Sequence, residues 1–77
     1  MYLEHVRTAE RMLQNGDADQ AILYYKSAIT EDDSHEEPYL ALATIYYEQK
    51  NDIKMALDIL FEGYGKVGSV ELYNAIQ

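Results

Sequence analysis

The segment Gly63–Val70 has the residue types and spacing of a phosphate-binding loop. It reads GYGKVGSV, which fits the G-x-G-x-x-G pattern of dinucleotide-binding folds and the related kinase loop. Both loops follow a β-strand, because the phosphates are bound at a turn between a strand and a helix. Here a helical pattern precedes the glycines, and only nine residues follow Gly68. We therefore expect no nucleotide site, and we expect the glycines to end a helix, where they tolerate positive φ angles.

Carboxylates are concentrated in the segment Glu31–Glu37, which reads EDDSHEE. These acids lack the fixed spacing of a cation site. The segment is therefore expected to be a solvated turn whose last acids suit the N-terminus of the next helix. Asp17-x-Asp19 begins like a calcium loop, but Ala21 stands at the next ligand position and Ile22 at the required glycine. No metal and no other cofactor is expected.

Covalent catalysis is not indicated either. The chain has no Cys, which excludes thiolate chemistry, zinc-finger sites and a disulfide framework. The two histidines, His5 and His35, lie in different parts of the sequence, and no catalytic triad is indicated around them. We expect a protein that is not an enzyme.

The charge balance restricts the classes of partner. The 77 residues include 6 Lys and Arg against 14 Asp and Glu, for a formal charge of −8. Nucleic acids and anionic membranes are bound through basic residues, so we expect neither as a partner, and a basic partner is favoured. The longest uncharged segment, Pro38–Tyr47, is about half as long as a membrane span. No signal peptide is visible at the N-terminus, so a cytoplasmic location is expected.

Two units of the sequence repeat each other, and they define the elements that must position any site. The residues aligned at an offset of 35 are Asp17, Ala21, Ile22, Tyr25 and Ala28 with Asp52, Ala56, Leu57, Leu60 and Gly63. Upstream, the residues aligned at an offset of 34 are Ala9 and Met12 with Ala43 and Tyr46. The change of offset predicts one inserted residue in the turn between Tyr46 and Asp52.

Apolar residues recur every three to four positions in both units, which predicts four helices of about a dozen residues and no strand. Asp17 and Asp52 are predicted N-caps, the first with Gln20 in a capping box. Gly16 and Asn51 precede the caps and are residue types that accept left-handed backbone.

Two further residues indicate helix starts. Pro38 suits the first turn of the third helix, and Ser69 is a candidate cap for a short fifth helix over Val70–Gln77. Small residues are expected to let the paired antiparallel helices approach closely; these are Ala9, Ala21, Ala28, Ala43 and Ala56.

The repeated unit resembles the tetratricopeptide repeat. The first helix of that repeat carries an aromatic, a large apolar residue, a small residue and a second aromatic, and unit two has Tyr39-x-x-Leu42-Ala43-x-x-Tyr46. The second helix carries a small residue, an aromatic and a small residue, and unit one has Ala21-x-x-x-Tyr25-x-x-Ala28. The sequence departs from this pattern at His5, Thr8 and Met12, at Asp33 in place of the closing Pro, and at Gly63 in place of Ala.

The resemblance implies an all-α fold in which antiparallel helix–turn–helix repeats stack as a short right-handed α-solenoid. Residues 1–77 would then form one domain. Repeat one would span residues 2–35 and repeat two residues 36–69. Residues 70–77 would form a partial third-repeat or capping helix.

The resemblance also implies a function, because members of the family bind a protein or peptide in the concave groove lined by their first helices. The positions that match groove-facing positions are Leu3, Val6, Glu10, Leu13, Leu40, Ala41, Thr44, Tyr47 and Glu48. Tyr47 is the most informative, because Tyr46 already fills the packing position. The alternative is that Tyr47 packs on the next repeat or covers the turn.

The groove residues mix apolar and acidic types, which favours an apolar peptide bearing Lys or Arg. Clamp-type repeats, which hold the C-terminal carboxylate of heat-shock chaperones, carry Lys, Asn and Arg at their binding positions. The matching positions here are Val6, Glu10, Ala41, Glu71 and Ala75. A carboxylate clamp is therefore not expected.

A second class of function stays open. Solenoids usually need about three repeats and a polar cap, and this sequence stops at Gln77, inside what would be a third repeat. Leu72, Tyr73 and Ile76 either fold back as a partial cap or leave an apolar end for another copy. The alternatives to groove binding are thus a homo-oligomer formed through that end, or a fragment of a longer array.

Overall fold

The computed structural model describes residues 1–76, with the backbone alone at positions 70 and 71. This part of the chain contains five helices and no strand: α1 Tyr2–Gln14, α2 Ala18–Glu31, α3 Glu37–Glu48, α4 Ile53–Val67 and α5 Val70–Ile76. The all-α prediction is confirmed, as are the four long helices and the short fifth. Gln77, the last residue of the predicted fifth helix, lies outside the described residues.

The two turns inside the helix pairs differ by one residue, as the offsets predicted. Three residues join α1 to α2, and four join α3 to α4. In the first turn, the backbone N–H of Asp17 donates to the carbonyl of Met12 at 2.8 Å. In the second, Asp52 donates to the carbonyl of Tyr46 at 2.7 Å. Since these residues are equivalent in the two repeats, the extra residue loops out while the closing hydrogen bond is kept.

Both turns end in the predicted caps. The Oδ1 atom of Asp17 accepts from the backbone N–H of Gln20 at 3.1 Å, and Oδ1 of Asp52 accepts from that of Met55 at 3.0 Å. The preceding residues have left-handed backbone, with φ of 82° at Gly16 and 53° at Asn51. Each turn therefore reverses the chain and satisfies a free N–H of the following helix.

The glycine-rich segment lies at the end of a helix, as predicted. Gly63 and Gly65 belong to α4, and Gly68 ends that helix with a φ of 72°. The hydroxyl of Ser69 donates to the carboxylate of Glu36, which lies just before α3. The start of α5 is thereby attached to the start of α3.

Two clusters of buried side chains form the core. The first unites the helix pair α1 and α2 with α3; its buried members are Val6, Ala9, Ala21, Ile22, Tyr25, Ala28, Leu42 and Ile45. The second unites α3 and α4 with α5; its buried members are Tyr39, Ala43, Ala56, Leu60 and Leu72. Ile29, Tyr46 and Ile59 pack against both clusters. All five of the predicted small residues are buried, which lets the paired helices approach closely.

Within the described residues, no helix combines the length and the apolar character that crossing a lipid bilayer requires.

Candidate functional site

Two neighbouring surface clefts share Leu40 and Thr44 of α3 as lining residues. The first, here called the acidic cleft, has a volume of about 420 Å³; it is lined by Glu10, Leu13, Tyr25, Glu36, Glu37, Leu40, Ala41 and Thr44. The second, here called the apolar cleft, has a volume of about 310 Å³; its main lining residues are Leu40, Thr44, Tyr47, Glu48, Ile53, Leu57, Leu60 and Ala75. Because they share these two residues, the clefts are adjacent along α3.

The acidic cleft carries three carboxylates and, among the described residues that line it, no basic side chain. Tyr25 is buried beneath it. Burial raises the pKa of the Tyr25 phenol to about 12, and the negative charges of Glu10 and Glu37 contribute to this rise. The negative potential of the cleft comes from the three carboxylates, and it favours a cationic group.

The apolar cleft owes its character to Tyr47 and to residues at the start of α4. The side chain of Tyr47 is 56% exposed. Its neighbour Tyr46 is partly buried and packs against both core clusters. The two consecutive tyrosines thus point in different directions along α3, and Tyr47 is the more exposed of the two. Ile53 and Leu57 lie one turn apart on α4 and add aliphatic area to the same cleft.

Most of the predicted groove residues fall into these two clefts. Glu10, Leu13, Leu40, Ala41 and Thr44 line the acidic cleft, and Leu40, Thr44, Tyr47 and Glu48 line the apolar cleft. Leu3 is exposed near the N-terminus of α1 and lines neither cleft.

Val6 requires a correction. It was expected to face the groove, but its side chain is only 2% exposed and lies in the first core cluster together with Leu42 and Ile45 of α3. The equivalent residue of the second repeat, Leu40, is only partly buried and lines both clefts. The same position is covered in one repeat and accessible in the other, because a full helix pair follows α1 and α2, whereas the two-turn α5 follows α3 and α4.

Nine cleft residues were missing from the predicted set, and four of them, Glu36, Glu37, Ile53 and Leu57, have large side chains outside the core clusters. Glu36 lies just before α3 and Glu37 is its first residue, in the segment predicted to be a solvated acidic turn. The last two belong to α4, and a groove assigned to the first helix of each repeat leaves that helix out. The spacing of Ile53 and Leu57, four residues apart and outside the buried face of α4, is the signal that identifies them.

Both histidines contact carboxylates at the C-terminal end of α2. Nδ1 of His5 lies 2.5 Å from Oε1 of Glu31, and Nε2 of His35 lies 3.1 Å from Oδ2 of Asp32. Hydrogen bonds from Ser34 and the neighbouring His35 hold the pKa of the Asp32 carboxyl below its usual value. Among the described residues, no group of three or more His, Asp and Glu side chains is arranged to hold a metal ion.

The positions of a carboxylate clamp lie in unsuitable surroundings. Val6 is buried, Glu10 lines the acidic cleft, and Ala41 and Ala75 have no polar side-chain group. The side chain of Glu71, the remaining position, lies outside the described part of the structure.

A comparison with protein families agrees with this geometry. Residues 12–62 match the family model described as tetratricopeptide repeat, a segment that runs from the end of α1 through most of α4. No curated protein and no solved structure matches the sequence significantly. Tetratricopeptide repeats generally mediate protein–protein interactions and are typically not enzymes. With its two helix pairs, its repeated pattern of small and large residues and this match, the chain belongs to the tetratricopeptide repeat family.

Proposed function

We propose that the chain is an interaction module that binds a peptide segment of a partner protein along α3, across the acidic and apolar clefts. The observation that carries this proposal is that the two clefts are adjacent, with Leu40 and Thr44 lining both. A single peptide can therefore place a basic side chain among the carboxylates and apolar side chains beside Tyr47. The proposed partner is a protein or peptide with basic and apolar residues.

The apolar cleft supplies the larger share of affinity in this proposal. Tyrosine is enriched among the residues that dominate binding energy, because its ring offers a large area with a polar tip and few rotatable bonds. Tyr47 and Leu40 flank the cleft, and Ile53 and Leu57 extend its aliphatic surface. A partner side chain that enters here removes apolar area from water on both molecules.

The acidic cleft supplies selectivity. Glu10, Glu36 and Glu37 line the cleft, and no basic side chain is among its described lining residues, which supports a negative potential at neutral pH. A Lys or Arg side chain is attracted by this potential, whereas an acidic peptide is repelled. The effect falls as ionic strength rises, because salt screens exposed charges.

Selection from a library of random peptides tests the proposal. We expect the selected peptides to combine large apolar residues with Lys or Arg. Fluorescence anisotropy with a selected peptide should then show that Leu40→Ala combined with Tyr47→Ala weakens binding about tenfold or more. Glu10→Gln combined with Glu37→Gln should weaken binding of the same peptide and reduce its salt dependence.

The matched control is Leu23→Ala, because Leu23 is as exposed as Tyr47 but lies on α2, outside both clefts. Its affinity for the peptide should be unchanged. Equal affinity of the wild type and the Leu40→Ala, Tyr47→Ala variant would contradict the proposal, and so would the selection of acid-rich peptides.

Several narrower statements stay predictions. They are the division into repeat one at residues 2–35, repeat two at 36–69 and a final helix at 70–77, the cytoplasmic location, and the exclusion of nucleic acid and membrane as partners.

A further inference from the structure

The acidic and apolar clefts lie on opposite sides of α3. The acidic cleft is bounded on its far side by Glu10 and Leu13 of α1, and the apolar cleft by residues of α4 together with Ala75 of α5. Leu40 and Thr44 line both clefts and lie one helical turn apart, so they form the ridge between them. A segment that occupies both clefts must therefore pass over this ridge.

The ridge offers apolar contact but no hydrogen-bond donor to a passing backbone. The hydroxyl of Thr44 donates to the carbonyl of Leu40 at 2.9 Å, inside α3. An extended segment also finds no sheet edge to pair with, since the described residues contain no strand. A backbone N–H pressed against Leu40 loses water without gaining an acceptor, which costs free energy. Proline has no N–H, so a proline-rich segment avoids this cost.

The separation of the clefts matches one turn of a polyproline II helix. Packed helices lie about 8–10 Å apart, and clefts on the two sides of one helix are separated by about the same distance. A polyproline II segment has three residues per turn and rises about 9 Å per turn, so residues three positions apart project from the same side at that distance. In a β-strand, residues on one face are about 7 Å or about 13 Å apart, and neither distance matches.

The two clefts call for different side chains. Three carboxylates line the acidic cleft, without a basic side chain among its described lining residues. The apolar cleft is lined mainly by aliphatic side chains and by the exposed ring of Tyr47. A segment with Arg or Lys at one position and a large apolar residue three positions away complements both clefts.

We propose that the partner segment is a proline-rich polyproline II turn whose Arg or Lys enters the acidic cleft and whose apolar residue, three positions away, enters the apolar cleft. This inference rests on the proposed function, because it assigns the conformation and the residue spacing of the peptide bound at that site. The preformed conformation loses little entropy on binding, and aromatic side chains such as Tyr47 are typical of grooves that bind it.

Capped ten-residue peptides with one Arg, one Leu and eight Pro test the spacing, because their length, composition and charge are identical and all adopt polyproline II. Arg and Leu are placed two, three, four, five or six positions apart, in both orders, and NMR titration measures each dissociation constant. In at least one order, a spacing of three is expected to bind about fivefold more tightly than any other spacing. Every other spacing leaves one of the two side chains outside its cleft.

Two further peptides test the conformation. Gly-Gly in place of Pro-Pro between Arg and Leu is expected to weaken binding about threefold or more, because the flexible segment loses more entropy. An alanine-rich helical peptide with Arg and Leu seven positions apart spans a similar distance, about 10 Å, and is the competing occupant. It is expected to bind more weakly than the proline peptide with a spacing of three.

The ridge is tested by Thr44→Gln, whose longer polar side chain obstructs the passage between the clefts. It is expected to weaken the peptide with a spacing of three about fivefold. The matched control is Thr30→Gln, because the exposed Thr30 also donates to the carbonyl four residues before it, at 3.0 Å, and lines neither cleft. Its affinity for the peptide should stay within about twofold of the wild type.

Failure of this inference is distinguishable from failure of the proposed function. Equal affinity at all spacings, no binding of any proline-rich peptide, tighter binding of the helical peptide, or equal effects of Thr44→Gln and Thr30→Gln each overturns the inference. The proposed function stands in these cases if a library-selected peptide loses affinity in the Leu40→Ala, Tyr47→Ala variant. If that variant binds the selected peptide as tightly as the wild type does, the proposed function is wrong and the inference is overturned with it.

Discussion

At the scale of single residues, the close contact with Tyr39 determines which residue type α4 can carry at position 63. Tyr39 is almost completely buried. A Cβ atom added to Gly63 would lie 2.6 Å from Cγ and 2.8 Å from Cβ of Tyr39, which is closer than non-bonded carbon atoms approach each other. The equivalent residue in the first repeat is Ala28, and the equivalent of Tyr39 is His5, a smaller ring that is only partly buried. Residue 63 is therefore Gly, where the family pattern has Ala, because the side chain of Tyr39 leaves no room for a Cβ atom.

The pair Gly63 and Gly65 separates packing from helix propensity. Gly63→Ala should lower the free energy of unfolding by about 1–2 kcal/mol, because the overlap with Tyr39 outweighs the better helix propensity of Ala. Gly65→Ala should raise it by up to about 1 kcal/mol, because nothing lies within 4 Å of an added Cβ there. Urea unfolding followed by circular dichroism measures both. Stabilisation by Gly63→Ala would contradict the close contact.

At the scale of the elements, the turns and caps follow directly from residue type. Gly16 and Asn51 adopt left-handed backbone, and the aspartates after them cap α2 and α4. The inserted residue of the second turn leaves this arrangement intact, because Asp52 donates to Tyr46 just as Asp17 donates to Met12. Local signals therefore determine where each second helix begins, independently of the partner helix.

Removal of either cap should have a similar cost. Asp17→Ala and Asp52→Ala should each lower the free energy of unfolding by about 1 kcal/mol, because a helix N–H loses its acceptor. Asp17→Asn and Asp52→Asn are the controls, because asparagine keeps the acceptor and removes only the charge, so their cost should be smaller. If alanine and asparagine cost the same, charge rather than the hydrogen bond would be the source of the stabilisation.

At the scale of the whole molecule, α5 completes the second core cluster. A helix of seven residues is not stable alone in water, so α5 depends on its contacts with the preceding repeat. Among the described side chains of α5, Leu72 is the buried one, and it packs with Tyr39, Ala43, Ala56 and Leu60. The short helix thus covers part of the second repeat, while Phe61 and Tyr73 remain exposed beside it.

Truncation of Leu72 tests how much the packing of α5 contributes to the stability of the domain. Leu72→Ala should lower the free energy of unfolding by about 2–3 kcal/mol, because it leaves a cavity beneath α5. Asn74→Ala, at an exposed position two residues away, should change it by less than about 0.5 kcal/mol. Urea unfolding measures both variants. A loss as small for Leu72→Ala as for Asn74→Ala would mean that α5 separates from the core before the rest unfolds.

The sequence by itself determined the helices, their order and the extra residue in the second turn. These features depend on local signals: apolar spacing, the aspartate caps, and residues that accept left-handed backbone. The internal repeat and the pattern of small and aromatic residues also indicated the family, and the family match agrees. The predicted separation of roles between Tyr46 and Tyr47 agrees with their burial, because it depends only on their positions around one helix.

Only the tertiary structure decided which of the matching positions are accessible. Val6 and Leu40 occupy the same repeat position, yet Val6 is buried and Leu40 lines two clefts. The same holds for Ile22 and Leu57 on the second helices. Helix periodicity determines which face a residue occupies, but burial depends on what is packed against that face, and this differs between the two repeats.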